Sequence, residues 1–289
     1  MQRRLVGSVV VVAAGLLPAL IGGPVFTVLM LGIGIVALME FLNLGRDAGP
    51  SGGHWPLFAV LILVAAGALF AQPVLLLLAA IIGVFIPLAL SIGKTHTPGA
   101  AERWAWGVAG LGYIALPVFM AIALRQASGG EVSAAAQSLA NRLALGWTPA
   151  PMGMVWVLAV VLSTWAGDSA AYLTGRSLGR HKLAPVVSPG KSVEGAIGGL
   201  LASMLVSAAV FSTLGAFPFW LGAIIGAGIG VSGQVGDLSE SFLKRQAGVK
   251  DSGDLIPGHG GMLDRVDALL FAFPAALVMH LLIAEGIIR

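Results

Sequence analysis

Residues 258–267 read GHGGMLDRVD, and an apolar run over residues 268–287 follows without a break. One histidine, two aspartates, one arginine and three glycines thus stand at the head of a segment long enough to cross a bilayer, since about 20 apolar residues span its hydrocarbon core. Ionisable groups beside hydrocarbon are costly and mark functional sites. The stretch therefore indicates a polar site at the surface of a membrane.

The composition of the 289-residue chain is that of a membrane protein. Hydrophobic residues make up 57% and charged residues 10%, against roughly 45–50% and about 25% in soluble domains. At about 20 residues per span, this length predicts one polytopic bundle with little chain left for an extramembrane domain. The chain has no cysteine, so a metal site would have to use oxygen or imidazole ligands.

Apolar runs predict an all-α fold with about nine transmembrane helices. The runs lie near residues 5–22, 24–42, 56–71, 73–93, 105–124, 152–173, 194–215, 217–238 and 268–287. We expect about five scaffold helices, with lipid access, over residues 1–150 and about four helices that carry the polar site over residues 151–289. Two cytoplasmic loops are predicted in the second part, at residues 174–193 and 245–266.

The distribution of positive charge predicts the orientation. With a cytoplasmic N-terminus and nine alternating spans, Arg125, Arg142 and Arg289 fall outside, and the other thirteen of the 16 Lys and Arg residues fall inside. This bias satisfies the positive-inside rule. A cleaved signal peptide over residues 1–22 is the alternative for the first span. Either way, the last two cytoplasmic loops stay on the same side.

Acidic residues concentrate near the C-terminus, where six of the 13 fall between residues 237 and 267. They are Asp237, Glu240, Asp251, Asp254, Asp264 and Asp267, and the cations among them are Lys244, Arg245, Lys250, Arg265 and His259 when protonated. Asp237, Glu240 and Lys244 recur at the spacing of one helix face. The segment 250–261 holds a proline and four glycines, which predicts a loop whose backbone can approach a ligand.

The end of one helix and the start of the next are expected to face each other across that loop. Asp264 and Asp267 begin the last helix, whose first N–H groups are available to an anion. Asp237 and Asp264 suit a divalent cation held by a few oxygens and by substrate phosphates, as Mg²⁺ prefers. The alternative is a structural ion-pair network with the aspartates as helix N-terminal charges. For a single aspartate at a helix start, the structural interpretation is favoured. For all the acids and cations of residues 237–267 taken together, a divalent-cation site is favoured.

Two segments further upstream extend this pattern. Asp168 lies inside an apolar span and basic residues follow it. The segment SPGKSVEG, residues 188–195, places hydroxyls, a lysine and a glycine before a helix, as a phosphate site needs. Its polar residues are Ser188, Lys191, Ser192 and Glu194. The spacing is not that of a P-loop, and an ordinary helix cap formed by Ser192 and Glu194 explains it equally well.

Other features are interpreted as packing. Residues 222–230 hold two overlapping GxxxG steps, which let helix backbones approach inside a bundle or across a dimer. They are the basis on which we expect a homodimer. Glu40, near a span end, is interpreted as a membrane-boundary anchor or a satisfied polar group. The polar segment 126–150 predicts no more than a short surface loop or helix.

Residues 241–267 resemble the signature of the phosphatidate cytidylyltransferases, also called CDP-diacylglycerol synthases. The matching positions are Ser241, Leu243, Lys244, Arg245, Lys250, Asp251, Gly253, Ile256, Pro257, His259, Gly260, Gly261, Met262, Asp264, Arg265, Val266 and Asp267. DSAAYLTGRSLG, residues 168–179, and SPGKSVEG resemble further motifs of that family, so the detailed resemblance covers about residues 165–270. The chain departs at Gly190, where relatives often carry a second lysine, and this puts one cationic phosphate contact in doubt.

The resemblance implies a Mg²⁺-dependent enzyme of phospholipid biosynthesis in the inner (plasma) membrane, with its active site facing the cytoplasm. It would join CTP to phosphatidic acid and give CDP-diacylglycerol and pyrophosphate. Implied catalytic residues are Lys244, Asp264 and Asp237. Implied ligands for Mg²⁺ and for a second metal ion are Asp237, Asp264, Asp267, Asp168 and Glu194. Implied substrate contacts are Ser188, Lys191, Ser192, Arg265, His259, Gly260, Gly261, Lys250 and Arg245. The partners are CTP, phosphatidic acid and the lipid bilayer, and no nucleic acid.

Two other functions stay open at this point. The first is a CTP-using transferase or kinase that acts on an isoprenoid or ether lipid, although the motifs favour phosphatidate. The second is an ion-coupled transporter, since short glycine-interrupted spans and buried acids mark such carriers. Transporters place their acids near the midplane, often in repeated halves, whereas these acids are expected at one surface of the bundle.

Overall fold

The computed structural model describes residues 15–45, 55–92, 99–253 and 260–287, and most of them are helical. The long helices are α1 (Gly23–Leu44), α2 (Trp55–Leu69), α3 (Pro73–Ile92), α4 (Ala100–Arg125), α6 (Pro151–Leu178), α7 (Val193–Leu214), α8 (Phe219–Ala247) and α9 (Leu263–Ala284). A shorter helix, α5 (Ala134–Leu143), follows α4. Strands β1 (Lys182–Ala184) and β2 (Ser188–Ser192) form an antiparallel hairpin between α6 and α7.

Seven helices of the described ranges are long and apolar enough to cross a membrane. They are all the long helices except α2, which has 15 residues. The prediction of an all-α, multi-pass membrane fold is therefore confirmed, whereas the predicted count of about nine spans is not. The first predicted span, near residues 5–22, lies largely outside the described residues. Its described part is helical over residues 15–21.

Helices α6 to α9 pack side by side in chain order. Glycines of α8 set the contact with α7: a methyl group at Gly222 would lie 2.7 Å from the Cα of Ala208, and one at Gly226 would lie 2.6 Å from the carbonyl oxygen of Ser203. No side chain larger than hydrogen fits there, so the two backbones touch. The GxxxG steps are thus used inside the chain and give no support to the expected homodimer.

Helix α9 rests on the N-terminal part of the chain as well, against α4 and α1. One apolar core includes Leu38 of α1, Ile114 of α4 and Ile229 of α8, all fully buried. Burial of such side chains is the main stabilising term of a packed core. The N-terminal helices therefore help to place α9, which carries Asp264 in its first turn.

The two ends of the bundle differ in chemistry. At one end, called the site end below, the ends of α1, α6 and α8 meet the starts of α7 and α9. At the opposite end, the buried guanidinium of Arg125 donates hydrogen bonds to the carbonyls of Ala19, Leu20 and Ala150. Ala19 and Leu20 lie in the last turn of the helix over residues 15–21, where carbonyls lack partners within the helix. Arg125 therefore has a structural role, at the end of the bundle opposite to the acids of residues 237–267.

Helix α8 continues past the apolar run that ends near residue 238, to Ala247, so that Glu240 and Lys244 are helical, as their spacing predicted. The extra turns hold Glu240 and Lys244, which form an ion pair at i and i+4. Gly248 ends the helix with a left-handed backbone, at φ 76°, as helix-terminating glycines commonly do. This extension carries Lys244 directly towards the start of α9.

Candidate active site

A cavity of about 460 Å³ opens at the site end, bounded by α6, the hairpin, the start of α7 and the middle of α8. It is called the hairpin pocket below. The residues that line it are Asp168, Ala171, Tyr172, Gly175, Arg176, Leu183, Ser188, Gly190, Lys191, Ser192, Gly195, Ala196, Gln234 and Asp237. Carboxylates, cations and hydroxyls thus share one concave surface, which is what a charged small molecule needs.

One face of α6 forms a wall of the hairpin pocket. Asp168, Tyr172 and Arg176 follow at intervals of one helical turn, and all three line the cavity. The Arg176 guanidinium donates to the Tyr172 hydroxyl at 3.2 Å. Glycine contacts hold this wall to α7, since a methyl group at Gly195 would lie 2.8 Å from the carbonyl oxygen of Ala171. The carboxylate of Asp168 therefore sits on a fixed surface, within an otherwise apolar span.

An ion pair joins the hairpin to α8 across the pocket. The Lys191 ammonium lies 2.5 Å from an oxygen of Asp237, and these side chains are 27% and 34% exposed. Asp267 is close on the other side: a methyl group at Gly236 would lie 2.5 Å from the Asp267 carbonyl oxygen. The carboxylate of Asp267 interacts electrostatically with those of Asp237 and Asp168. Asp168, Asp237 and Asp267, all predicted to bind a metal ion, thus interact with one another. Asp264, the fourth predicted aspartate, lies in a separate group of charges described below.

The segment SPGKS forms strand β2, where a loop was predicted. Ser192 caps α7 by accepting a hydrogen bond from the Gly195 N–H at 3.1 Å. Glu194 accepts from the N–H groups of Arg180 and His181 and contacts the His181 ring at 2.6 Å. The capping interpretation is therefore correct for Ser192, whereas the oxygens of Glu194 are occupied in closing the hairpin. Ser188 and Lys191 remain on the pocket side.

A second group of charges is buried beside the pocket. The Lys244 ammonium lies 2.8 Å from Glu240 and 2.5 Å from the Oδ1 atom of Asp264. Glu240 is 1% exposed, and the side chains of Lys244 and Asp264 are each 11% exposed. One cation between two carboxylates at this depth is a strongly constrained arrangement, because an unpaired buried charge is very costly.

The other oxygen of Asp264 holds the loop that precedes α9. Its Oδ2 atom accepts from the Ser252 N–H at 3.0 Å, from the Ser252 hydroxyl at 3.0 Å and from the Gly261 N–H at 2.8 Å. Gly260 has a left-handed backbone, with φ 76°, which glycine adopts without strain. Oδ2 is thus structural, whereas Oδ1 contacts the Lys244 ammonium.

Glu40 reaches the same loop from α1. Its carboxylate is buried and accepts from the Met262 and Leu263 N–H groups at 2.9 and 2.7 Å and from the Ser252 hydroxyl at 3.0 Å. The interpretation of Glu40 as a satisfied polar group agrees with these bonds. Its place beside Asp264 was not predicted. Glu40, Glu240, Lys244, Ser252 and Asp264 are called the loop anchor below.

The remaining predicted residues lie around these two groups. Arg245 donates to the carbonyls of Val187 in the hairpin turn and Val249 in the loop, at 3.4 and 3.1 Å. Lys250 and Arg265 are exposed at the site end, and Gly261 is buried against the loop anchor. His259 lies outside the described residues. The structure thus brings Lys191 to Asp237 and Lys244 to Asp264, and places Arg245 between the hairpin and the loop.

The carboxylates do not form a ready chelate. Within residues 15–45, 55–92, 99–253 and 260–287, no group of three or more His, Cys, Asp or Glu side chains is arranged to hold a metal ion. Mg²⁺ is usually held by one or two carboxylates together with substrate phosphates. Asp237 with Asp168 at the pocket wall, and the Oδ1 atom of Asp264, are oxygen donors that fit this habit.

Sequence reasoning missed Gln234 and Ser252. Gln234 lines the pocket and donates to the Ala196 carbonyl at 2.9 Å, which joins α8 to α7. It stands three residues before Asp237, so the face that predicted Asp237, Glu240 and Lys244 already contained it. Ser252 gave no signal, because a serine in a glycine-rich loop is ordinary.

The fold and this site define a class of protein: a multi-pass membrane protein with a charged pocket at one end of its helical bundle. A model of the cytidylyltransferase family matches residues 1–283, and the chain therefore belongs to that family.

Relatives named phosphatidate cytidylyltransferase are similar to part of the chain. The protein of Staphylococcus saprophyticus is 46% identical over 123 residues, which are 42% of this chain and 47% of that protein. The proteins of Staphylococcus haemolyticus and Staphylococcus aureus are each 45% identical, over 123 and 124 residues, again 42% of this chain and 47% of the relative. The aligned part thus spans about half the length of these relatives.

Proposed function

We propose that this chain is a membrane-embedded, Mg²⁺-dependent CTP:phosphatidate cytidylyltransferase of phospholipid biosynthesis. The observation that carries the proposal is the hairpin pocket, in which Lys191, Asp237 and Asp168 face a cavity directly beside an apolar bundle. A nucleotide triphosphate needs cations and a metal, and a diacyl lipid needs hydrocarbon at the same place. The family membership and the names of the relatives support the same reaction.

In the proposed reaction, a phosphate oxygen of phosphatidic acid attacks the α-phosphorus of CTP. A new P–O bond joins the two, the bond between the α-phosphorus and the bridging oxygen breaks, and pyrophosphate leaves with that bond's electron pair. The products are CDP-diacylglycerol and pyrophosphate. Phosphoryl chemistry of this kind is accelerated by positioning and by neutralising charge. Lys191 and Lys244 are the cations proposed to contact the phosphates. Further substrate contacts are proposed for Ser188, Ser192, Gly260, Gly261, Lys250 and Arg265, and for His259, which lies outside the described residues.

Partner exchange is the mechanism that the two lysines allow. Each lysine is paired with an aspartate proposed as a metal ligand, Lys191 with Asp237 and Lys244 with the Oδ1 atom of Asp264. When a lysine turns to a phosphate, its aspartate is released as an oxygen donor. Charge at the site thereby stays balanced while substrates enter, which matters where water is scarce.

Mg²⁺, when bound, would neutralise the phosphates and hold them in line. Asp237 and Asp264 are the proposed ligands, and Asp168 and Asp267 are the nearest further carboxylates. Glu194 is the least suited of the residues first considered, because its oxygens accept hydrogen bonds within the hairpin. A second metal ion would draw on Asp168 and Asp267.

The site end is proposed to face the cytoplasm of a bacterial plasma membrane. The described cations at that end are Arg103, Arg176, Arg180, Lys182, Lys191, Lys244, Arg245, Lys250 and Arg265, whereas Arg125 and Arg142 lie at the other end. The positive-inside rule assigns the richer end to the cytoplasm. CTP made in the cytoplasm would then reach the pocket without crossing the bilayer.

The test is an assay of the purified full chain in detergent with CTP, Mg²⁺ and phosphatidic acid. Pyrophosphate release that requires the lipid supports the proposal. Release with an isoprenoid or ether lipid but not with phosphatidic acid would assign another lipid substrate. Transport of a solute by reconstituted protein without nucleotide turnover would favour the carrier. The homodimer remains a separate prediction, which the mass of the detergent-solubilised protein checks.

A further inference from the structure

We propose that Glu40 of α1 is a positioning residue of the active site. It fixes the start of α9, so that Asp264 presents its Oδ1 atom to Lys244 and to a bound cation. The catalytic part of this inference rests on the function proposed above, whereas the contacts of Glu40 do not depend on that function. It assigns a role in the site to a residue of the N-terminal half, more than 200 residues before Asp264.

The three hydrogen bonds to Glu40 all run in one direction. Met262 N–H donates to Oε1, and Leu263 N–H and the Ser252 hydroxyl donate to Oε2. The first N–H groups of a helix have no partner within the helix, and a negative charge there is stabilising. Met262 is the N-cap residue of α9, and its side chain has no oxygen with which to cap. Glu40 therefore provides the cap from another helix.

The loop backbone is packed directly against this carboxylate. A methyl group at Gly253 would lie 2.9 Å from the Oε1 atom of Glu40, and one at Gly261 would collide with both Glu40 and Ser252. Two glycines of the segment that joins α8 to α9, Gly253 and Gly261, thus make room for the buried carboxylate of Glu40. A boundary anchor would need no such fit.

Ser252 couples Glu40 to Asp264. Its hydroxyl oxygen lies 3.0 Å from the Oε2 atom of Glu40 and 3.0 Å from the Oδ2 atom of Asp264. A hydroxyl has a single hydrogen to donate, so it serves one carboxylate at a time. Because Glu40 also holds the Met262 and Leu263 N–H groups, the start of α9 stays fixed while Asp264 changes partners.

The substitution Glu40→Gln tests this arrangement sharply. Glutamine has nearly the same shape, but one acceptor oxygen is replaced by an NH₂ group that would face the N–H of Met262 or Leu263. The matched control is Glu102→Gln, an exposed acid in the first turn of α4 at the same end of the bundle. Both variants remove one negative charge, so a general charge effect would appear in both.

The main measurement is Mn²⁺ binding to the full chain in detergent with CTP, followed by electron paramagnetic resonance, which needs no turnover. Residues that support metal ligands typically change metal affinity by about 10–100-fold when mutated. We expect Glu40→Gln to weaken Mn²⁺ binding by about tenfold and to speed amide hydrogen exchange at Met262 and Leu263. Glu102→Gln should match the wild type in both. A loss of folded protein would lower the number of sites without changing their affinity.

The outcomes separate the two proposals. If Glu40→Gln binds Mn²⁺ as the wild type does, the positioning role is wrong, even where amide exchange is faster, and the proposed enzyme activity is untouched. If the wild type turns over no phosphatidic acid but Glu40→Gln still loses Mn²⁺ affinity, the proposed function fails and the positioning role stands.

A second variant covers the case in which Glu40→Gln does not fold. Ser252→Ala removes the shared hydroxyl and leaves both backbone bonds to Glu40, and it leaves Asp264 its bonds to the Ser252 and Gly261 N–H groups. We expect Mn²⁺ binding to weaken, but by less than the roughly tenfold loss expected for Glu40→Gln, because the start of α9 keeps its cap. An affinity equal to that of the wild type would show that the contact from Glu40 through Ser252 to Asp264 does not hold the metal ligand, and would overturn the positioning role.

Discussion

The two lysine–aspartate ion pairs have the same N···O distance but differ in their exposure to water. Lys191 and Asp237 meet at 2.5 Å across the hairpin pocket, with about a third of each side chain exposed. Lys244 and Asp264 also meet at 2.5 Å, but each is 11% exposed, and a third charge, Glu240, is buried against them. Both pairs are proposed to exchange partners with substrate. The first pair would do so in contact with water, and the second inside the packed loop anchor, where an unpaired charge costs far more.

The difference follows from desolvation. An ion pair that water reaches contributes about 0–1 kcal/mol, because both charges are nearly as well solvated apart. Removing one partner of a buried pair costs about 3–5 kcal/mol, since the other is left without solvent or counter-charge. Variants of the two pairs should therefore differ in what they lose, with stability lost at the loop anchor and activity at the pocket.

The largest effect is expected from Lys244→Met. It leaves Glu240 and Asp264 buried side by side without their cation, which should destabilise the protein by about 3–5 kcal/mol and abolish turnover. Thermal unfolding in detergent checks the stability, and pyrophosphate release checks the activity. The control is Lys182→Met, whose ammonium donates only to the Pro189 carbonyl among the hydrogen bonds of the described chain. Equal unfolding temperatures for the two variants would contradict a structural role for Lys244.

A large loss of activity without unfolding is expected from Asp237→Asn. The side chain is 34% exposed, so stability should change little, while turnover should fall by about 10²–10³-fold through lost charge stabilisation. The rate of pyrophosphate release and its Mg²⁺ dependence measure this. Asp251→Asn, in the exposed start of the loop, serves as the matched control. An Asp237→Asn protein with wild-type turnover would remove the pocket from the proposed chemistry.

An intermediate effect is expected from Lys191→Gln. The variant loses a cation proposed to contact substrate phosphate but keeps a polar side chain in the pocket. The KM for CTP should rise by about tenfold with a smaller change in kcat, as for a contact that binds substrate and transition state alike. Steady-state kinetics measure this, with Lys182→Gln on the same hairpin as the control variant. A fall in kcat at unchanged KM would place Lys191 in the chemical step instead.

The smallest effect is expected from Arg245→Gln. Its guanidinium donates to the carbonyls of Val187 and Val249 and is exposed to water, so stability should change by less than about 0.5 kcal/mol and turnover by no more than about twofold. The same two assays apply. A rise in KM for CTP as large as that of Lys191→Gln would mean that Arg245 binds phosphate after all.

Hydropathy and helical spacing predicted much of this molecule. Apolar runs located the long helices to within a few residues at most ends, because the membrane leaves few other ways to satisfy a buried backbone. Asp168, which stood out as an acid inside an apolar span, lies on the pocket wall with Arg176, one of the basic residues that follow it. The described acids between residues 237 and 267 also gather at one end of the bundle, as the alternation of spans requires.

What was missed depends on contacts that span the chain. The hairpin has strands of three and five residues, with Pro189 and Gly190 inside one of them, and such residues argue against a strand. The division of Asp237 and Asp264 between two lysines needs the relative position of α8, α9 and β2. No periodicity links Glu40 to Leu263, because the two are 223 residues apart.

The glycine contacts between α6 and α7 have a consequence for redesign. At Gly195 and Gly199 the two backbones touch, and added methyl groups would lie 2.8 Å from the carbonyl oxygens of Ala171 and Gly167. The contact line between α6 and α7 beside the hairpin pocket therefore cannot be widened by trimming side chains, nor reshaped by adding them. An engineer who wishes to admit a bulkier nucleotide base has to change residues that face the cavity, such as Leu183, Ser188 and Gly190.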